Sequence, residues 1–160
     1  MPLITGGGIP QTRGVINGRV AYKHPFIEVI AKFVGGILAL STGLSLGREG
    51  PSVQIGSYVG CLVSKWGRVL AGERKQLLAA GAGAGLAAAF AAPLASSLLV
   101  IESIERFDAP KTAITTLLAG VVAGGVASWL FPINPYFQID AIVPGMTFWS
   151  QVKLFLLLAA

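Results

Sequence analysis

The run from Leu77 to Ile101 carries no charge at all. A helix built from it has no face to turn toward water, so a soluble helical core is a poor reading. Two further runs are nearly as apolar: Phe26 to Leu46 is interrupted only by Glu28 and Lys32, and Thr112 to Phe131 is uncharged. A bilayer span takes roughly 20 such residues. Across the chain 54% of residues are hydrophobic and 12% charged, against about a quarter charged in soluble domains. The expected solvent is lipid.

Gly contributes 21 residues and Pro 9, so the helices should be broken, closely packed, or both. The reading along the chain is all-helical. An irregular Gly-rich start leads into a helix from Pro10 to about Ile16, and Asn17-Gly18 makes a turn. A second helix runs from Pro25 to about Ser45, with Gly35-Gly36 and Gly43 giving neighbours close access. A third runs from Pro51 to about Val69, ended by Ala71-Gly72, and a fourth from Arg74 to Ala91. Pro93 restarts a shorter helix to about Ser103, and Pro110 to about Leu130 is a full span. Phe131 to Gly145 reads as a loop and Trp149 onward as the start of another helix. Gly56/Gly60, Gly81/Gly85 and Gly120/Gly124 each place small residues on one helix face. No soluble domain is expected. There is no secretory signal after Met1, and the sequence reads as truncated at both ends.

The net charge of +5 is carried by residues at the ends of apolar runs: Arg13, Arg19 and Lys23 before one, Lys65, Arg68, Arg74 and Lys75 between two others. That distribution anchors helix ends at an interface and gives no reason to invoke nucleic acid. The single Cys61 and single His24 make no disulfide and no metal site, and no cofactor is expected. Tyr136, Phe137, Phe148 and Trp149 read as an interfacial aromatic belt.

Two breaks share one design. Gly6-Gly7-Gly8-Ile9-Pro10 and Gly47-Arg48-Glu49-Gly50-Pro51 each lead small residues into a helix with Pro in its first turn. The start of a helix presents unpaired N–H groups and about half a positive charge, so it attracts an anion or a nearby carboxylate. Glu49 is such a carboxylate. If it swings out or takes a proton, a small anion can replace it, which makes it a candidate gate. Irregular backbone at membrane depth is tolerated where it lines a cavity, so the two breaks together favour a site near the midplane.

With those residues in view the chain resembles the CLC family of chloride channels and chloride/proton antiporters over essentially its whole length. Gly6 to Pro10 looks like the family's GSGIP. Gly47 to Pro51 is its GREGP, continuing into Ser52-Val53-Gln54-Ile55-Gly56, and Ala87 to Glu102 resembles its AAAFNAPLAG…E segment. The resemblance implies an all-α, polytopic membrane protein with broken and re-entrant helices. Residues 1–160 would form part of the first inverted repeat of the transmembrane domain, in a homodimer, as a multi-pass protein of the cell membrane. It implies transport of chloride or another small anion, with Glu49 as the gating glutamate and no enzymatic activity. Gly7, Gly8, Ile9, Arg48 and Gly50 would serve the anion, the glycines and Ile9 through backbone N–H groups and Arg48 through its charge.

Two positions depart from the family. The GSGIP serine, whose hydroxyl helps hold the central anion, is Gly7 here. The internal proton-transfer glutamate of the antiporters is Ser103, so a proton route would fall to Glu102 or Glu105. Chloride against fluoride, as in the fluoride-exporting branch, and channel against antiporter therefore stay open. Two readings come from other classes: a membrane scaffold without transport, and a nucleotide-dependent enzyme built on Gly83-x-Gly85-x-x-Ala88, for which no strand is expected nearby. Lys32 lies inside an apolar helix, where it would either raise the pathway's positive potential or pair with Glu28 at i, i+4, the pairing being slightly favoured.

Overall fold

The computed structural model describes residues 2–43, 47–105 and 110–131. A short 3-10 turn at Pro2–Ile4 leads into α1 (Ile9–Ile16), followed by α2 (Pro25–Ser41), α3 (Glu49–Trp66), α4 (Ala71–Phe90), α5 (Pro93–Val100), a π-turn at Ile101–Glu105, and α6 (Pro110–Leu130). Among the described residues there is no strand, so the all-α reading holds and the dinucleotide reading lacks its strand.

Proline and glycine punctuate these elements as expected. Pro10, Pro25 and Pro93 stand in the first turns of α1, α2 and α5, where a missing N–H costs nothing. Pro51 is the third residue of α3, because the helix begins two residues earlier than expected, at Glu49. Ala71 and Gly72 open α4 and do not close α3; the break falls at Gly67 and Arg68, the latter held at φ 48. α2 gives way at Ser41 to Thr42 and Gly43, short of the expected Ser45. The loop and helix expected after Phe131, and the aromatic belt with them, lie outside the described residues.

The interior joins a core of Ile16, Tyr22, Val53, Tyr58, Leu78 and Leu86 to many small and polar side chains, while many other large apolar side chains face outward. Gly56 and Gly60 of α3 pack on α4 so tightly that a Cβ on Gly56 would run into the Gly81 carbonyl and one on Gly60 into that of Leu77. Gly81 meets Gly56, and Gly85 meets Ser52, in the same way. α6 lies parallel to α4 and buries the stripe Thr112, Thr116, Gly120 and Gly124, with Gly120 and Gly124 seated on Pro93 of α5 and Ala87 of α4. Phe26, Phe33, Leu38, Leu118 and Val122 are exposed. Such an arrangement would be costly in water and suits lipid. Gly35 and Gly36 have open space around them, so the close approach expected there is not made within the described residues.

Among the described helices, α6 is long and apolar enough to cross a membrane. At 1.5 Å per residue it reaches about 32 Å, close to the hydrocarbon thickness. α1 and α5, of 8 residues each, reach about 12 Å.

Candidate functional site

The two broken starts meet. Gly8 takes φ 96, open to glycine at little cost, and this turns the chain into α1. A Cβ there would lie 2.9 Å from Gln54 Oε1 and 3.0 Å from Gln54 Cβ, and close to the Gly50 carbonyl. From the other side, a Cβ on Gly50 would collide with the Gly7 carbonyl. Backbone therefore lies against backbone where α1 and α3 begin, and only glycine fits on either side.

Side chains that the sequence reading did not assign to the site hold this junction. Gln11 closes the start of α1: its Oε1 accepts the Gly8 N–H at 3.0 Å and its Nε2 donates to the Thr5 carbonyl at 2.6 Å. An anion reaching for the Gly8 amide would displace Gln11. The signal was present, since a Gln three residues past a cap residue is half of a capping box. Lys32 crosses from α2 and donates to the carbonyls of Ile4 at 2.9 Å and Gly6 at 2.8 Å. The expected Glu28–Lys32 pair does not form, because two carbonyls of the Gly-rich segment, left without helical partners, satisfy the ammonium better than a carboxylate turned back toward its own helix start. Gln54, fully buried on α3, donates to the Leu3 carbonyl at 2.7 Å.

Glu49 opens α3, and its side chain is exposed. Its carboxylate folds back toward the residues that precede the helix, so that a Cβ on Gly47 would strike Glu49 Oε2. It accepts no hydrogen bond from any described residue. Beside it is a cavity of about 230 Å³ lined by Leu86, Phe90, Ala92, Ala95, Ser96 and Leu99, the last four bordering the start and one face of α5. A third helix start thus adjoins the carboxylate. Arg48 precedes it, its guanidinium 4.8 Å from the centre of the Phe90 ring and its carbonyl accepting from Ser52 Oγ at 2.8 Å. Arg48 and Lys32 share the lining of a second cavity of about 160 Å³ with Gly36, Gly47 and Ser52. Two cations therefore stand near the Gly47 break.

Of the residues singled out, the structure brings Gly7, Gly8 and Gly50 together at the α1–α3 junction, with Ile9, half-buried, at the first position of α1, while the side chains of Arg48 and Glu49, just before Gly50, lie against Phe90 of α4 and the cavity beside α5. Glu102 and Ser103 are elsewhere, exposed on the π-turn that continues α5, and Glu105 ends that turn. A π-turn widens the helix by one residue and shifts the faces that follow it. Among the described residues no three His, Cys, Asp or Glu gather to hold a metal.

The family model described as voltage gated chloride channel matches residues 1–160. The H(+)/Cl(-) exchange transporter ClcA of Vibrio cholerae is 40% identical over 127 residues, covering 78% of this chain and 27% of that protein. The proteins of the same name from Citrobacter koseri and Salmonella arizonae are 39% and 38% identical over 158 residues, covering 96% of this chain and 33% of theirs. The chain thus spans about a third or less of the length of these relatives. With the family model matched from end to end, the chain belongs to the voltage gated chloride channel family.

Proposed function

We propose that this chain forms part of a transmembrane pathway for small anions, chloride first among them, and that Glu49 gates it. The observation that carries the reading is the exposed Glu49 carboxylate folded back against Gly47 at the start of α3, with no hydrogen bond from a described residue and one residue before Gly50, which meets Gly7 at the start of α1. A carboxylate held there by field alone can be replaced by an anion, or released by a proton, without breaking a bonded network. Arg48 and Lys32 add positive potential, and Gly7, Gly8, Ile9 and Gly50 supply the close backbone. The relatives are exchangers of chloride and protons by name, which supports chloride and protons as the species moved. The protein is a multi-pass membrane protein in this reading, and it works as a homodimer whose contact uses the outer faces of α5 and α6. The residues 1–160 belong to its transmembrane domain.

The experiment is anion efflux from liposomes holding the full-length protein, with chloride and fluoride compared and proton movement recorded, for wild type and Glu49→Gln. Altered efflux in Glu49→Gln supports the gate. Proton movement tied to the anion makes the protein an exchanger, and its absence makes it a channel. Fluoride carried in preference to chloride places it with the fluoride exporters. No anion flux from well-folded protein overturns the pathway and leaves a scaffold.

A further inference from the structure

Where the turn after α1 meets the start of α4, the structure leaves a cavity of about 250 Å³. Val15, Ile16 and Leu78, all buried, give it an apolar wall. Arg74 and Lys75, from the first two turns of α4, bring two positive charges to it, and no acidic residue lines it. Gly18, Val20 and Ala21 on the turn are exposed, so the cavity is reached from outside the bundle. Pockets that enclose a whole drug-sized molecule take roughly 300–1,000 Å³, so this one suits a small charged group attached to something larger.

Arg74 is set in place without losing its charge. Its Nη2 donates to the thiol of Cys61, fully buried on α3, at 3.5 Å. A thiol is a weak acceptor, and it engages one of the five donors of a planar fork that matches phosphate. Among the described residues no carboxylate pairs with Arg74. α4, of 20 residues, also starts without a side-chain cap, so its first N–H groups add to the positive field at Ala71. The neighbourhood has the same sign. Over residues 17–24 and 65–75 the basic side chains are Arg19, Lys23, Lys65, Arg68, Arg74 and Lys75, against Glu73 alone.

Depth in the membrane is marked by a separate feature. Trp66 closes α3 and is 86% exposed, and Leu70, at the cap of α4, is 75% exposed. A Trp in that position belongs at the level of the headgroups, its ring in apolar and its N–H in wet surroundings. The start of α4, five residues on, therefore lies where lipid phosphates lie. Basic pockets between membrane helices at that level are where anionic headgroups are held.

We propose that this cavity binds the phosphate headgroup of an anionic glycerophospholipid from the leaflet that meets this end of the bundle. Arg74 and Lys75 hold the phosphate, and the wall of Val15, Ile16 and Leu78 receives the glycerol end of the acyl chains. The lipid ties the turn after α1 to the start of α4.

The test uses the full-length protein in detergent, with phosphatidylglycerol and phosphatidylcholine of the same chains as probes and the retained lipid counted by native mass spectrometry. Wild type should hold phosphatidylglycerol at least about fivefold more tightly, the factor for one cation acting at an anionic surface. Arg74→Gln and Lys75→Gln should each lower that preference by about the same factor. Lys65→Gln removes a cation that does not line the cavity and should leave the preference unchanged. Ala71→Phe keeps every charge but fills the cavity, and it should act as Arg74→Gln does. Phosphatidylglycerol should also raise the melting temperature of wild type and not that of Arg74→Gln. If Arg74→Gln does not fold, Lys75→Gln and Ala71→Phe carry the test. Equal retention of the two lipids, or an unchanged preference in Lys75→Gln or Ala71→Phe, overturns the proposal. So does a loss in Lys65→Gln as large as that in Lys75→Gln, which would mean diffuse surface charge. Displacement of the lipid by inorganic phosphate overturns it in favour of a soluble anion. None of these readouts needs anion flux, so the outcome is separate from that of the Glu49 gate.

Discussion

At Gly7 a single side chain separates this chain from the family pattern, and the structure says what restoring it would meet. Nothing lies within 4 Å of a Cβ built there, in contrast to Gly8 and Gly50 on either side of the junction. Gly7→Ser should therefore fold as wild type does and add one hydroxyl donor beside the converging helix starts. A hydrogen bond of about 1 kcal/mol corresponds to roughly a fivefold change in affinity. Chloride efflux relative to fluoride should rise by on the order of that factor in Gly7→Ser, measured in parallel liposome assays. An unchanged ratio would place the anion away from Gly7. The break ahead of α3 was legible in the string Gly47 to Pro51, whose glycines and proline interrupt one helix and open the next. Lys32 was legible only in part. Its burial inside an apolar helix marked it, but its partners, the Ile4 and Gly6 carbonyls, are 28 and 26 residues away, and nothing local points to them. Gln54 was hidden for the same reason: its meaning depends on which helices face it.

Among the elements, α3 and α4 are joined by backbone rather than by side chains, and this decides what each glycine tolerates. In lipid, apolar side chains gain nothing by leaving their surroundings, so close approach and dispersion hold helices together. Gly81→Val would drive its added atoms into the Gly56 carbonyl, an obstacle that cannot rotate away. Overpacking costs about 1–3 kcal/mol where side chains can adjust, and the upper end or beyond is expected here. Gly72→Ala, where nothing stands within 4 Å, should be neutral or slightly stabilising. Thermal stability of the detergent-solubilised protein checks both, and equal effects from the two substitutions would refute backbone contact as the cause. Spacing of four made the Gly56/Gly60 and Gly81/Gly85 faces readable, and α6 matched its expected bounds of Pro110 and Leu130. Boundaries without strong punctuation were less readable. The start of α3 lay hidden because Pro51 fits the third position of a helix as well as the first, and Ala71-Gly72 because Gly serves equally as a stop and as an inner residue. The Gly120/Gly124 face is spent inside this chain, with Gly120 2.9 Å from Ser97 Oγ as judged at its missing Cβ.

Over the whole molecule the charges sort by end, which the sequence could not establish while short helices upset the counting of alternate loops. The turn after α1, with Gly18, Val20 and Ala21, lines one cavity with Ala71, Arg74 and Lys75 at the start of α4. Arg19 and Lys23 belong to that turn, and Lys65 and Arg68 end α3 immediately before α4. α6 runs parallel to α4 and begins beside Lys111, so it enters from the same side. One end of the bundle is therefore basic. α2 starts at that end and carries the chain to Thr42 and Gly43 at the other. Basic ends of membrane proteins stay on the cytoplasmic side, because Lys and Arg near a span resist translocation. Arg19→Cys should then react with a membrane-impermeant maleimide only from the cytoplasmic face, and Thr42→Cys only from the opposite face, in a background without other reactive cysteines. Cys61 is fully buried and should not contribute. Labelling of Arg19→Cys from outside intact cells would invert the molecule, and with it the side toward which Glu49 opens in the proposed pathway.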